Sequence, residues 1–370
     1  MKEKVAIITV YKAGWKTVRR RWEKFFRNDD NYEYKFYHLE DYSKLINYLT
    51  VKLDRFKTLW YITSGRAAVK AALKDGCTSI LINTFHYIPL MPIKKGVRYY
   101  VYGDATALQV AALQPRPYNS TSAAGGLPAS IDKLYKKSLK RLNRADVFHI
   151  GMSHWYLNSL ISDYGVLPEK TACIPFGLDL TTWKPKEDKK YNPQQTNILL
   201  VGAPFAMKGG KLLQEISELQ EFTDCRWHFV AYDAHFEDDD KRKYYTDITA
   251  DTPELLDIYR NADIMILPTI ADCSPNVAIE AAAMGLPVII TAVGATSEIV
   301  EDGNNGYLLK FPPQKDDIVE KLKNYIQQPQ LVQAHSAAAR EKAVRDFDIN
   351  KHLENVRKLM SETKTTQYLS

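Results

Sequence analysis

The chain has 370 residues, of which 45% are hydrophobic and 25% are charged, as in ordinary soluble globular proteins. This length exceeds the usual size of one compact core, so two domains are expected. No apolar run approaches the roughly 20 residues that span a bilayer, and the short run VAIITV near the start predicts a buried strand rather than a signal peptide. The four cysteines are far apart without a C-x-x-C pair, which disfavours a zinc site or a disulfide framework and fits a reducing cytosol.

Charge is distributed unevenly along the chain. Residues 1–180 contain 28 Lys and Arg against 15 Asp and Glu, whereas the remainder contains 22 against 29. Basic clusters occupy 18–27, 91–98 and 133–144. They are interpreted either as solvated helix faces or as a surface that attracts an acidic acceptor or an anionic membrane. Nucleic acid is not expected as a partner, because no recognised binding motif accompanies the charge.

Short apolar runs alternate with helical patterns, which predicts two series of parallel strands covered by helices on both faces. The first series is predicted at 5–10, 32–39, 59–64, 79–85, 98–103, 147–152 and 171–176. The second is predicted at 197–203, 226–232, 264–269, 287–291 and 307–311. Residues 113–130 are predicted to form a loop, and the polar stretch 184–196 a linker. The expected domains are therefore 1–183 and 184–347, with a helix within 348–370 crossing back to the first domain.

Several common ligand-binding motifs are missing from the sequence. Neither half contains the G-x-G-x-x-G fingerprint or a Walker loop, so a nicotinamide cofactor is not supported and no cofactor is expected. The acidic run EDDDK at 237–241 has two interpretations, a D-x-D metal motif or a hydrated acidic loop. The second is favoured, and no metal site is predicted.

The stretch DCSPNVAIEAAAMG, residues 272–285, places two carboxylates around a helix start. Ser274 is predicted as the N-cap and Pro275 as the first helical residue. The helix is then expected to end near Met284, before Gly285. Its first turn offers free backbone N–H groups that favour an anion such as a phosphate, and Glu280 follows about one turn later. Glu280 and Asp272 would thus bracket a diphosphate, one holding a ribose and the other a sugar.

This stretch also resembles the E-x7-E region of retaining glycosyltransferases of family 4, which have the GT-B fold. Three further stretches resemble other parts of that family in the same order, namely 145–185, 197–213 and 292–309. The resemblance implies an α/β GT-B architecture, two doubly wound Rossmann-like domains facing a central cleft. Ligands of such sheets bind outside the carboxyl ends of the strands.

The resemblance also implies roles for individual residues. Asp104, Lys208 and Asp272 are expected to be catalytic. Donor contacts are expected from Gly14, Lys208, Asp272, Cys273, Ser274, Asn276, Val277 and Glu280. Trp15 and His86 are weaker candidates, and a core or loop histidine is the favoured interpretation of His86. The sequence departs from the family at three points: Asp272 replaces the usual glutamate, no arginine shortly precedes Lys208, and Asp104 stands where many members have histidine.

The implied activity is metal-independent, retaining transfer of a hexose from a nucleotide-diphosphate sugar to a saccharide or lipid-linked acceptor, in polysaccharide or glycolipid synthesis. UDP-glucose is the first expectation for the donor. The expected location is the cytoplasm, with peripheral contact at the inner face of an anionic membrane as a hypothesis. Two alternatives stay open: a nucleotide-sugar-binding partner subunit without catalysis, and an epimerase of the same fold.

Overall fold

A computed structural model describes residues 2–10, 14–26, 29–42, 57–83, 91–113, 143, 146–187 and 189–365. The chain divides into two compact units. The first unit comprises Met1–Pro175 with Val356–Ser370, and the second comprises Phe176–Asn355. The loop predicted at 113–130 and the basic cluster at 133–144 lie outside the described residues, apart from Leu113 and Asn143.

The first unit is built on a parallel sheet with the strand order β2-β1-β3-β4-β5-β6. Its strands are β1 Glu3–Thr9, β2 Tyr32–His38, β3 Ser79–Ile82, β4 Arg98–Gly103, β5 Val147–Gly151 and β6 Thr171–Cys173. Every residue of β3 and β4 is buried, as expected for central strands covered on both faces. Burying each large apolar side chain contributes about 1.5–3 kcal/mol to the stability of such strands. Six of the seven strands predicted for this part of the chain are confirmed.

The predicted strand at 59–64 is wrong, because these residues belong to a helix. The helices described in the first unit before residue 175 are α1 Gly14–Phe26, α2 Lys57–Lys74, α3 Ala107–Ala112 and α4 His154–Ser162, with 3-10 turns at Leu39–Asp41 and Pro168–Lys170. Within α2, Trp60, Ser64, Ala68 and Ala72 are all fully buried. Their spacing of four residues places them on one helix face. That period extends over 18 residues. The helix therefore forms although four of the six residues at 59–64 are aromatic or β-branched, which suggested a strand.

An ion pair between the buried Asp29 and the partly exposed Arg357 in the first unit gives a pH-dependent contribution to stability. The carboxylate of Asp29 accepts hydrogen bonds from Arg357 at 2.7 Å, from Tyr34 at 3.0 Å and from the N–H of Asn31 at 2.8 Å. Burial alone would raise the pKa of Asp29, but the bonds from Asn31, Arg357 and Tyr34 outweigh it and lower the pKa. The stabilisation is therefore complete above the unfolded pKa of about 4 and is lost as the pH falls through the lower folded pKa.

Replacing Asp29 with asparagine is expected to lower the free energy of unfolding by about 1.5–3 kcal/mol at pH 7, the range for hydrogen bonds to a charged group. The difference from the wild type should shrink as the pH falls below about 4, because Asp29 then takes up a proton in the unfolded state more readily than in the folded state. Urea unfolding at a series of pH values measures both quantities. A difference that stayed constant down to the lowest pH would contradict this assignment.

The second unit is also built on a parallel sheet, with the order β12-β11-β10-β7-β8-β9. Its strands are β7 Asn197–Val201, β8 Arg226–Val230, β9 Arg242–Tyr245, β10 Ile264–Leu267, β11 Val288–Thr291 and β12 Gly306–Leu309. All five predicted strands are confirmed, and β9 was not predicted. It follows the acidic run 237–241, where the Asp239 carboxylate accepts from the N–H groups of Lys241 and Arg242. The run thus forms the turn before an edge strand.

Helices cover the second sheet and extend to the end of the described chain. They are α5 Gly210–Ser217, α6 Pro253–Asn261, α7 Asn276–Ala283, α8 Thr296–Ile299, α9 Lys315–Gln327, α10 Pro329–Asp346 and α11 Ile349–Thr365, with 3-10 turns at Pro193–Gln195 and Gln220–Phe222. Among the described residues, none of the helices has the length and apolar character needed to cross a membrane.

The division between the units lies earlier than the predicted boundary at 183. Trp183 is 1% exposed and packs edge-on against Tyr259, with ring centroids 5.4 Å apart, so the segment 176–183 belongs to the second unit. The polar stretch 184–196, predicted as the linker, also lies within that unit. The predicted final helix is observed as α11, and its residues from Val356 onward belong to the first unit.

Candidate functional site

Two neighbouring strands of the second unit bring the predicted lysine and aspartate loops together. Strands β7 and β10 pair in parallel, so the loops that follow them leave the same edge of the sheet. The loops are joined directly, because the N–H of Ile270 donates to the carbonyl of Met207 at 3.0 Å. The hydroxyl of Thr269 donates to the same carbonyl at 3.4 Å. The two loops, residues 202–209 and 268–275, are therefore joined by hydrogen bonds at the carboxyl ends of the strands. Together they are called the platform.

Lys208 and Asp272 form an ion pair on this platform. The Nζ of Lys208 donates to Oδ2 of Asp272, and Oδ1 of Asp272 accepts from the N–H of Cys273 at 3.0 Å. The two side chains are only 13% and 12% exposed. A pair this well shielded from water interacts more strongly than a surface pair. The structure thus brings two predicted site residues into contact, although 64 positions separate them.

The lysine loop requires a glycine at the start of α5. Gly209 has a φ of +83°, and a Cβ placed on it would lie 2.4 Å from the Cγ of Pro268. Both the left-handed backbone and the close approach exclude a larger residue. In the middle of the loop, both carboxylate oxygens of Asp233 accept from the N–H of Phe205 at 3.0 Å. Asp233 was not predicted as a site residue. The only indication of it in the sequence is that an acidic residue follows shortly after strand β8.

Helix α7 begins one residue later than predicted. Pro275 has an extended ψ of 111° and occupies the N-cap, so Ser274 lies outside the helix and the predicted serine cap is wrong. The first bond of the turn runs from the N–H of Ala278 to the carbonyl of Pro275. The N–H groups of Asn276 and Val277 precede it, as predicted, in the first turn that attracts anions. The Oδ1 of Asn276 is buried and has no hydrogen-bond partner among the described residues.

Glu280 is buried rather than exposed on the surface of α7. Its side chain is 4% exposed, and its Oε2 accepts a hydrogen bond from the hydroxyl of Tyr259 at 3.0 Å. A carboxylate buried among apolar residues requires such a partner, because an unpaired buried charge is costly. The sequence did not indicate Tyr259, which occupies an ordinary apolar position of the amphipathic helix α6.

The remaining predicted residues belong to the first unit. Asp104 follows the carboxyl end of β4 and is partly exposed. Burial, and then the charge of Asp104, raises the pKa of the buried Tyr156 well above its usual value. Gly14 is the first residue of α1 and Trp15 the second, and the side chain of Trp15 lies outside what the structure describes. His86 also lies outside the described residues.

Part of the second unit matches a family of known proteins. Residues 195–328 match the family model described as Glycosyl transferases group 1. The D-inositol 3-phosphate glycosyltransferase of Pseudarthrobacter chlorophenolicus is 27% identical over 170 residues, which are 40% of this chain and 40% of the relative. The chain thus spans less than half the length of the curated relatives that it matches.

Solved structures resemble the chain over nearly its whole length. A glycosyltransferase from Rickettsia africae ESF-5 is 15% identical, with a TM-score of 0.72 over 98% of both chains. Anabaena HepE, solved in complex with UDP-glucose, is 15% identical, with a TM-score of 0.64 over 97% of this chain and 99% of that one. At such identities the likeness shows the fold alone. Together, these matches confirm the α/β GT-B fold and the resemblance to family 4 glycosyltransferases, which is strongest in residues 195–328, where the glycosyl transferases group 1 model matches.

Proposed function

We propose that the protein is a retaining glycosyltransferase that moves a hexose from a nucleotide-diphosphate sugar to a saccharide or lipid-linked acceptor in polysaccharide or glycolipid synthesis. The observation that carries this proposal is the shielded Lys208–Asp272 pair, in which Asp272 lies four residues before the start of α7. Glu280, one turn into that helix, completes a set of groups suited to a nucleoside diphosphate sugar. The cation and the helix N-terminus suit phosphates, and carboxylates suit sugar hydroxyls.

The proposed chemistry begins with the leaving diphosphate. Cleavage of the anomeric bond leaves negative charge on the phosphate and develops positive charge on the sugar ring. Lys208 and the N–H groups of Asn276 and Val277 stabilise the phosphate charge, which is the type of electrostatic term that usually dominates catalysis. When phosphate takes over the charge of Lys208, the carboxylate of Asp272 is released to accept hydrogen bonds from the donor sugar. Asp104 is proposed to orient substrate hydroxyls in the same way.

Retention follows if the acceptor attacks from the face that the diphosphate leaves. In this route the departing phosphate takes the proton of the acceptor hydroxyl, so no separate protein base is required. Glu280 is assigned to the ribose hydroxyls of the donor, and Cys273 and Ser274 to contacts along the loop before α7. UDP-glucose is proposed as the first donor to test, since one structural neighbour was solved with that ligand.

Turnover is also proposed to need no metal ion, because Lys208 and the N–H groups at the start of α7 are proposed to stabilise the negative charge of the diphosphate. Activity measured after exhaustive treatment with EDTA is expected to stay within a factor of about two of the untreated value. Heat-denatured protein treated in the same way serves as the blank. Loss of activity with EDTA, followed by recovery with magnesium or manganese, would contradict the proposal.

The proposed activity is tested by following nucleotide release from UDP-, GDP- and ADP-sugars in the presence of saccharide and lipid-linked saccharide acceptors. One donor is expected to be consumed, and the proton NMR spectrum of the product should show the anomeric configuration of the donor. Donor binding without turnover would favour the inactive partner subunit. Formation of an altered free sugar nucleotide without acceptor would favour the epimerase.

Peripheral membrane contact is proposed separately, on the excess of basic residues in positions 1–180. Co-sedimentation with vesicles that contain an anionic phospholipid is expected at low salt and should weaken as salt increases, because surface charge is screened. Equal sedimentation with neutral vesicles, or none with anionic vesicles at low salt, would count against it.

A further inference from the structure

We propose that Tyr259 is a positioning residue that holds the Glu280 carboxylate ready for the ribose of the donor. This inference rests on the proposed function. Tyr259 lies in α6 and is completely buried, and its hydroxyl is the donor to Oε2 of Glu280 at 3.0 Å. The same hydroxyl lies 3.5 Å from the carbonyl oxygen of Val277, one turn before Glu280 on α7. Tyr259 therefore contacts both the side chain of Glu280 and the helix that carries it.

A glutamate side chain has three rotatable bonds, and fixing them on binding reduces affinity. The bond from Tyr259 fixes one carboxylate oxygen of Glu280 before any ligand arrives. A carboxylate that is already oriented binds hydroxyls without that loss, provided that its supporting residues are themselves rigid.

The surroundings of Tyr259 supply this rigidity. The ring of Trp183 packs edge-on against the ring of Tyr259, and the Nε1 of Trp183 donates to Asp251 at 3.2 Å. The hydroxyl of Thr252 caps α6 by accepting from the N–H of Leu255 at 3.3 Å. These contacts fix the tyrosine ring in place.

A second link connects Trp183 to the far end of α7. The Nη1 of Arg340 donates to the carbonyl of Trp183 at 2.8 Å and to the carbonyl of Ala283 at 2.5 Å. Ala283 is the last residue of α7. The helix that carries Glu280 is therefore connected to Trp183 at its end and to Tyr259 along its length, which supports one orientation of the carboxylate.

Replacing Tyr259 with phenylalanine keeps the ring and removes only the hydroxyl. The KM for the nucleotide-sugar donor is expected to rise about tenfold or more, the effect of losing a hydrogen bond to a charged group. The kcat is expected to change less than about threefold, because the ribose contact is made equally in the ground state and the transition state. The substitution should add little to the KM of Glu280→Gln, since Tyr259 acts through that carboxylate.

A donor that lacks a ribose hydroxyl distinguishes positioning from a purely structural role. The wild type is expected to prefer UDP-glucose to its 2′-deoxyribose or 3′-deoxyribose analogue, and Tyr259→Phe should lose most of that preference. The matched control is Tyr325→Phe, because Tyr325 is an equally buried tyrosine of the same unit whose hydroxyl bonds to Nδ1 of His335 at 2.9 Å. Its donor KM and its ribose preference should stay at wild-type values.

Two results would overturn the inference, and they differ in what else they affect. If Glu280→Ala weakens donor binding while Tyr259→Phe behaves like Tyr325→Phe, only the role of Tyr259 fails. If Glu280→Ala leaves donor binding unchanged, the donor site fails together with the role of Tyr259. If donor binding weakens and ribose preference falls in Tyr259→Phe, but not in Tyr325→Phe, the inference is supported.

Discussion

Replacing Lys208 with methionine is expected to lower kcat by about 100- to 1,000-fold, the effect of removing one group that stabilises transition-state charge. The substitution keeps the length of the side chain and removes its charge. Lys208 is assigned to the leaving diphosphate, and no arginine shortly precedes it to share that charge. Lys208→Arg should retain more activity than Lys208→Met, because it keeps the charge while changing its geometry. Steady-state release of the nucleotide measures both variants.

The control for this substitution is Lys342→Met. Lys342 is also a buried lysine of the second unit, 8% exposed, and it pairs with Glu301 at 2.7 Å. Its replacement should lower the free energy of unfolding without changing kcat by more than about twofold. Circular dichroism at the assay temperature checks that both variants are folded. Equal kcat values for the two methionine variants would show that Lys208 has only a structural role.

Replacing Gly294 with alanine is expected to destabilise the second unit by about 3–5 kcal/mol, the combined cost of backbone strain and overpacking. Gly294 has a φ of +59°, and a Cβ there would lie 2.2 Å from the carbonyl oxygen of Asp272 and 2.6 Å from that of Cys273. The neighbouring N–H of Ala295 donates to the carbonyl of Cys273 at 2.7 Å. Space can be made only by moving the backbone of Asp272, so activity should fall even below the melting temperature.

Gly303→Ala provides the matched control for strain without a clash. Gly303 has a φ of +73°, but no atom lies within 4 Å of the position of its Cβ. Its replacement should cost only about 1–2 kcal/mol, the strain of a left-handed residue. Urea unfolding gives both free energies, and nucleotide release gives the activities. Similar losses in the two variants would mean that the contact between Gly294 and Asp272 is unimportant.

The strands could be predicted because central strands of a parallel sheet are nearly continuous apolar runs. Strands β7, β10 and β11 show this pattern plainly. The segment 59–64 shows its limit, because an equally apolar run belongs to α2. The helix is identified only by its buried positions, which recur every four residues. This spacing is seen when all 18 residues are considered, not in a window of six.

Individual residues of the candidate site could be proposed from the sequence, but their arrangement could not, and their roles stay predictions. The motifs identified Lys208, Asp272 and Glu280, yet the contact between Lys208 and Asp272 depends on β7 and β10 being neighbours in the sheet. That order is a long-range property of the fold. Tyr259 could not be identified at all, because an aromatic residue on an amphipathic helix normally indicates the core.

The measurement that tests the central claim most directly is the thermal stability of the protein with UDP, GDP, ADP and their common sugars, compared with Glu280→Ala. A ligand at about one hundred times its dissociation constant adds roughly 2.7 kcal/mol to the free energy of unfolding. The expected result is that one nucleotide series, with UDP first, raises the melting temperature of the wild type by several degrees and leaves Glu280→Ala nearly unchanged. Stabilisation of both proteins to the same extent, or of neither, would contradict a donor site built on Lys208, Asp272 and Glu280.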